Sequence, residues 1–186
     1  MARLPDIDPA KLTPEQKKVH DAVVAGPRGR IAGPLTVWLT SPPLAERAQE
    51  LGAFCRYHSS LEPRLSELAI LTTGAFWRAG YEWYAHSKIG ASRGLDPAKL
   101  EVMRNGGTPT FEKEDEAAVY AFANELLRTK RVSKPNYDKA VKLFGERGAV
   151  DLVGILGYYS LICLTINAFE VEPPDEPNPM PNPLPF

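Results

Sequence analysis

Residues 64–95, RLSELAILTTGAFWRAGYEWYAHSKIGASRGL, decide how this chain folds. Apolar residues such as Leu65 and Leu68 recur three or four positions apart in the first half, which is the spacing of a helix with a buried face. Ala79-Gly80 then predicts a break, because glycine is costly inside a helix. A second helix is expected to follow, to about Arg93. The stretch therefore predicts two consecutive helices that can fold back on each other.

Three polar residues lie within these two apolar segments. Glu82 and His86 are four positions apart, so they are separated by only about 40° around a helix. Glu67 lies on the preceding helix and reaches the same place only if the chain reverses at Gly80. We expect these three side chains, Glu67, Glu82 and His86, to converge on one pocket.

The alternative is an ordinary ion pair between Glu82 and His86 on a solvated helix face, which is common at this spacing. The surrounding aromatic residues, Tyr81, Trp83 and Tyr84, favour the pocket because they make the helix apolar on several sides, as in an enclosed helix. Carboxylates and imidazoles in such surroundings tend to have shifted pKa values, which suits acid–base catalysis.

Other polar residues are weaker candidates for the same pocket. His58 follows a helix end and is either a surface residue or a further pocket residue. A metal site formed by His58, His86 and Glu67 has no ligand spacing in its favour, so we predict no metal. Phosphate loops, nucleophile elbows and Cys-x-x-Cys pairs are also missing from the sequence, so we predict no cofactor.

The rest of the chain predicts an all-α fold of six to eight helices. Helix-start signals recur where a capping residue precedes proline, as at Thr13-Pro14, Ser41-Pro42 and Asp96-Pro97. No segment shows the alternation of a strand. Later helices are expected at about 112–129, 134–144 and 148–170.

Composition limits the classes of partner. The net charge is −1 and no basic stripe is present, so we predict no nucleic-acid partner. Residues 152–169 lack charge but contain glycines, tyrosines and an asparagine, so we interpret them as a buried central helix and predict no membrane partner. The N-terminus lacks the apolar core of a signal peptide, and Cys55 and Cys163 suit buried free thiols, which together predict a cytoplasmic protein.

The quoted stretch resembles the core of the carboxymuconolactone decarboxylase family, whose other branch is the alkylhydroperoxidases. In the peroxidase branch a glutamate is followed by Cys-x-x-Cys and then by a histidine. Glu67 and His86 match that glutamate and histidine, while Ala79 and Glu82 stand where the two cysteines would be. Thiol peroxidase chemistry needs an attacking and a resolving thiol, so we disfavour that activity.

The resemblance implies a cofactor-independent decarboxylase acting on a small carboxylated lactone or an aromatic-derived acid. His86 would then donate the proton, Glu67 would orient the imidazole, and Glu82 would be a second acid–base group or the partner of Arg78. Tyr81 or Tyr84 would donate a hydrogen bond to the substrate carbonyl, and Trp83 would form a wall. For the substrate carboxylate we expect Arg78 or Arg64. A helical oligomer that binds a small acid without converting it remains the alternative.

The resemblance covers about residues 34–171 and implies a homo-oligomer, a trimer or hexamer. Residues 1–33 form a helical extension outside that domain. Residues 172–186 contain seven of the 18 prolines, so we expect an extended tail. Leu184 and Phe186 would either anchor this tail on a neighbouring subunit or belong to a disordered end.

Overall fold

The computed structural model describes residues 3–4 and 7–180, and in that part of the chain all regular structure is helical. The predicted all-α fold is confirmed. Its helices are α1 Pro14–Ala25, α2 Pro34–Trp38, α3 Pro42–Ala53, α4 Pro63–Trp77, α5 Gly80–Ser92, α6 Pro97–Arg104, α7 Glu114–Thr129 and α8 Lys134–Phe169. A short 3-10 turn, Pro9–Lys11, precedes α1, and a π-helical segment, Phe54–His58, continues α3.

The helix starts follow the capping signals of the sequence. At α1 the Thr13 hydroxyl accepts a hydrogen bond from the Gln16 backbone N–H, and the Gln16 side chain accepts one from the Thr13 N–H. At α6 the Asp96 carboxylate accepts from the Ala98 N–H at 2.9 Å. These contacts satisfy amide groups that have no partner within the helix, which fixes where each helix begins.

Helix α4 forms the centre of the molecule. It packs against α5, α7 and α8, and four consecutive residues, Leu68 to Leu71, are completely buried. A helix that is apolar around its circumference is stable only when other helices enclose it. The polar side chains that α4 carries are therefore held inside the protein.

The chain reverses between α4 and α5 in a tight turn. Arg78 ends α4 in a left-handed conformation, with φ 54°, and Ala79 is completely buried before α5 begins at Gly80. The break predicted at Ala79-Gly80 is confirmed. Because the turn is so short, α5 runs back along α4 and the two helices face each other.

Helix α8 consists of two helical segments separated by a kink at Gly145, whose φ of 71° and ψ of 172° are not helical. These segments match the two helices expected at 134–144 and 148–170. Glycine accommodates that conformation because it lacks a Cβ. The helix is long and apolar enough to cross a membrane, but 61% of its most apolar window is buried within the protein, against α4, α5 and α7.

Two regions were not anticipated in the sequence. Helix α2 lies where a loop was expected to end, and the last turn before Ser59 is π-helical.

The sequence predicted an extended tail. Its described part, residues 172–180, contains no helix and lies against α5 and α6. Asp175 accepts a hydrogen bond from the Tyr84 hydroxyl at 3.1 Å, and the Arg104 guanidinium donates to the Pro179 carbonyl. Leu184 and Phe186 lie outside the described residues.

Candidate active site

The reversal between α4 and α5 brings Glu67 and His86 into contact. His86 Nδ1 lies 2.7 Å from Glu67 Oε2, within hydrogen-bond distance. The two residues are 4% and 5% exposed, so the contact is shielded from water. Glu67 is therefore placed to orient the imidazole and to fix the proton on Nδ1.

Glu82 approaches the other ring nitrogen of the same histidine. Its Oε1 lies 3.0 Å from His86 Nε2, and the side chain is 3% exposed. This oxygen receives no well-directed hydrogen bond within the described part of the chain, so the contact with the ring is an ion pair. We call Glu67, Glu82 and His86 the acid–base centre.

The two carboxylates determine the protonation of the histidine. Burial by itself lowers the pKa of His86, but the charge of Glu82 and the hydrogen bond with Glu67 outweigh it and raise that pKa to about 9. His86 is therefore an imidazolium at neutral pH. The acid–base centre therefore carries a proton on a buried imidazole ring.

A cavity of about 270 Å³ opens beside the acid–base centre. Glu82 and His86 line it, together with Tyr81 and Tyr84 of α5. Helix α8 contributes two further tyrosines, Tyr158 and Tyr159, and the Tyr159 ring packs edge-on against His86 with centroids 5.5 Å apart. This volume is at the small end for ligand sites, so the cavity suits a small molecule.

Four cationic side chains, which we call the cationic rim, line the same cavity: Arg28, Arg30, Arg56 and Lys88. Arg28 donates a hydrogen bond from Nη2 to the Tyr158 hydroxyl at 3.2 Å. None of the three arginines forms an ion pair with a carboxylate among the residues that the structure describes. Their charge is thus available to an anionic ligand.

The rim was missed in the sequence because its members come from three distant segments. Arg28 and Arg30 lie in the Gly- and Pro-rich loop before α2, which the sequence analysis assigned to an extension outside the domain. Arg56 lies in the π-helical segment. The sequence does contain one indication of the rim, the two cations of Arg28-Gly29-Arg30 within a loop. The loop sequence does not show, however, which helix the loop packs against.

Two glycines allow these segments to approach the cavity closely. A Cβ on Gly33, where φ is 59°, would lie 2.3 Å from the Tyr81 ring. A Cβ on Gly52 would lie 2.1 Å from the Tyr158 hydroxyl and 2.4 Å from Arg28 Nη2. The loop before α2 can therefore approach the tyrosines that line the cavity only because these two positions have no side chain.

Arg64 and Arg78, the two arginines expected at the substrate carboxylate, lie away from this cavity. Arg64 is engaged in ion pairs with Asp115 and Glu116, which join α4 to α7. Arg78 donates to the Arg104 carbonyl and lines a separate cavity between α4, α7 and the tail. Of the two roles expected for Glu82, a second acid–base group or the partner of Arg78, its contact with His86 supports the first.

Of the four remaining residues that were predicted to lie in the pocket, two line the cavity and two do not. Tyr81 and Tyr84 line the cavity, as expected. Trp83 lies on the opposite face of α5 and is buried in the hydrophobic core, so it does not form a cavity wall. His58 is exposed at the end of the π-helical segment, next to Tyr57, and does not reach the cavity.

Both cysteines are buried free thiols that do not line the cavity. Burial raises the pKa of Cys55 to about 11, and burial followed by the charge of Glu82 raises the pKa of Cys163 well above its usual value. A thiol of high pKa is a poor nucleophile because little thiolate is present. In the described part of the chain, no three His, Cys, Asp or Glu side chains are arranged to hold a metal ion.

The fold is that of the alkylhydroperoxidase-like proteins. The chain superimposes on two uncharacterized peroxidase-related proteins, one from Silicibacter sp. TM1040 (TM-score 0.73, 14% identity, covering 95% of this chain and 94% of that one) and one from Ralstonia eutropha JMP134 described as an alkylhydroperoxidase AhpD core (TM-score 0.75, 16% identity, 94% and 93%). A third similar structure is a cysteine-to-alanine variant of the debrominase Bmp8 in complex with 2,3,4-tribromopyrrole (TM-score 0.67, 17% identity, 92% and 89%).

These similarities establish the fold and leave the activity open, because one fold supports many reactions. No protein-family model matches the sequence, and no curated protein matches it either. The function must therefore be inferred from the acid–base centre and the cavity beside it.

Proposed function

We propose that this protein is a cofactor-independent lyase that decarboxylates a small carboxylated lactone or aromatic-derived acid by acid–base chemistry. The observation that carries the proposal is the placement of the His86 ring between two carboxylates, at a cavity that arginines line. The resemblance of residues 64–95 to the decarboxylase family supports the choice of reaction.

The reaction needs an electron sink and a proton. When the bond between the substrate and its carboxylate breaks, the electron pair moves into a conjugated system that ends on a carbonyl oxygen, and CO₂ leaves. Protonation of carbon then restores the carbonyl, and His86 supplies that proton from Nε2, the nitrogen that faces Glu82. The neutral imidazole regains its proton from solvent, so each turnover consumes one proton and releases one CO₂.

The cationic rim favours this reaction in two ways. Its charge draws an anionic substrate into the cavity. During the reaction, negative charge leaves the carboxylate and appears on the carbonyl oxygen. An arginine near that oxygen stabilises the transition state more than the ground state, which is the condition for catalysis.

Thiol peroxidase activity fits the site less well. The positions that match the cysteine pair are Ala79, which is buried in the core, and Glu82 of the acid–base centre. Neither cysteine of the chain lines the cavity. A binding protein that takes up a small acid without converting it is the remaining alternative, and measurements of binding and turnover distinguish the two.

The test is to incubate the protein with a panel of carboxylated lactones and aromatic acids and to measure CO₂ release and binding separately. For a converted substrate, His86→Gln should lower turnover by about 10²- to 10⁴-fold, the usual contribution of a positioned acid. Its substrate affinity should change far less, because the cationic rim is intact.

The matched control is His58→Gln, which changes an exposed histidine outside the cavity and should leave turnover unchanged. Binding of a panel member without CO₂ release would favour the binding protein. Full turnover by folded His86→Gln would show that the imidazolium is not the proton donor.

A further inference from the structure

Two buried side-chain atoms at the cavity lack hydrogen-bond partners in the described part of the chain. One is a donor, Arg28 Nε, and the other is an acceptor, Glu82 Oε1. Both residues line the cavity. Native proteins satisfy nearly all buried polar atoms, so an unsatisfied donor and an unsatisfied acceptor at one cavity indicate groups that a ligand supplies.

We propose that the ligand of this cavity is a small acid that carries a hydroxyl or N–H donor in addition to its carboxylate. The carboxylate is received by Arg28 and the other arginines of the cationic rim, and the donor is received by Glu82. This inference rests on the proposed function for the identity of the site, and it adds a second recognition group to the substrate.

Glu82, and not Glu67, is the residue that accepts the ligand's donor. Glu67 already shares the Nδ1 proton of His86 at 2.7 Å and does not line the cavity. Glu82 lines the cavity and makes only the ion pair with Nε2. A hydroxyl hydrogen-bonded to Glu82 lies next to His86, which places the ring or chain that bears it beside the proton donor.

The charges of the acid–base centre decide between a neutral and a charged group at this end of the ligand. A second carboxylate would be repelled by Glu67 and Glu82. An ammonium group would be attracted by these carboxylates but repelled by the imidazolium of His86 and by the four cations of the rim that line the same small cavity. A neutral hydroxyl or N–H avoids both repulsions and still satisfies the buried oxygen. The carboxylate of the ligand then lies against the arginines of the cationic rim, which have no carboxylate partner within the described residues.

The test is calorimetric titration of the intact protein with benzoate, 3- and 4-hydroxybenzoate and the corresponding methoxybenzoates. One hydroxybenzoate should bind about tenfold or more tightly than both its methoxy analogue and benzoate, which is the usual value of a hydrogen bond to a charged group. Glu82→Leu should abolish this preference. Arg28→Met should weaken every acid in similar proportion and keep the preference.

A spectroscopic measurement on the unmodified protein tests the same hydrogen bond and does not depend on whether Glu82→Leu folds. A phenol that donates to a carboxylate is held in its protonated form, so bound hydroxybenzoate should still absorb as the phenol at a pH where the free ligand has ionised. Equal affinities for hydroxy and methoxy acids, a bound phenolate, or no binding of any of these acids would overturn the inference. Because none of these readouts needs turnover, a protein that binds with this preference but releases no CO₂ refutes only the proposed function.

Discussion

At the scale of single residues, the protein encloses an imidazole between two carboxylates. Burying one charged group is costly, and the cost is offset only when partners of opposite charge lie close by with good geometry. His86 has two such partners, at 2.7 Å and 3.0 Å. Removing a carboxylate should therefore change the protonation of the histidine as well as its orientation.

We predict that this histidine makes stability depend on pH. Its pKa rises on folding from an ordinary 6.5 to about 9, because the charge of Glu82 and the hydrogen bond with Glu67 outweigh burial. A raised pKa stabilises the fold fully below about pH 6.5, and this contribution is lost as the pH rises through about 9. The melting temperature should fall across that interval.

The comparison that isolates this effect is Glu82→Gln, which removes one of the two charges. In this variant the pKa of His86 should be lower, so the loss of stability should still begin near pH 6.5 but should be smaller and end at lower pH than in the unmodified protein. Melting curves recorded across the interval for both proteins check this. Parallel dependence on pH in the two proteins would contradict the assignment to His86.

At the scale of helices, α3, α8 and the loop before α2 approach one another closely at Gly52, next to Arg28 and Tyr158 of the cavity. We predict that Gly52→Ala lowers the free energy of unfolding by about 1–3 kcal/mol, the usual cost of forcing an added group into a packed site. The added methyl group collides with the Tyr158 hydroxyl and with Arg28. Displacing Arg28 should also weaken the affinity for anionic ligands.

Denaturant unfolding measures the first effect and ligand titration measures the second. Glu50→Ala is the matched control, because it changes an exposed residue on the same helix and should alter stability by less than about 0.5 kcal/mol. If Gly52→Ala behaved like this control, the close packing of the three segments would not be what supports the cavity.

Local and non-local effects explain how much of this site was predictable from the sequence. The pair Glu82 and His86 follows from helix spacing, and the contact with Glu67 follows from a break at Ala79-Gly80, all within residues 64–95. Arg28 could not be placed, because its contact with Tyr158 joins residues 130 positions apart. A loop's own sequence does not specify which helix it will cover. For the same reason Arg78 was assigned to the cavity although the turn directs it elsewhere.

Helix boundaries also differ in whether the local sequence or packing against distant segments determines them. The starts of α1, α3 and α6 depend on their own capping residues or prolines and were predicted well. The two helices expected at 134–144 and 148–170 also match the two segments of α8, which Gly145 separates. The short helix α2 was not predicted, and it packs against α8, which is distant in the sequence.

At the scale of the whole molecule, an apolar stripe on α8 remains uncovered in the single chain. It consists of positions spaced three or four apart along one helix face: Val150, Val153, Gly157, Leu161 and Leu164. Val150 is 70% exposed, and Val153 and Leu164 are each 47% exposed. Apolar surface that is contiguous in this way is typical of a protein–protein contact.

We predict that this stripe is covered by other copies of the chain in a trimer or hexamer. Light scattering should then give a multiple of the 20.5 kDa chain mass. Val153→Asp should lower the mass toward that of one chain, because a carboxylate would be buried without a partner. Val102→Asp, at an exposed position of α6, serves as the control. A monomer at micromolar concentration would contradict the prediction.

Because the tail contacts α5 through charged side chains, the affinity of the cavity for its ligand should depend on ionic strength. Lys88 belongs to the cationic rim, and its ammonium group also lies 3.3 Å from the Glu176 carboxylate of the tail. Both side chains are largely exposed, and exposed pairs of this kind are weak and are screened by salt. In dilute buffer Glu176 offsets the charge of Lys88, whereas in concentrated salt the pair loosens and the rim itself is screened. Ligand affinities for this protein are therefore comparable only when they are measured at one salt concentration.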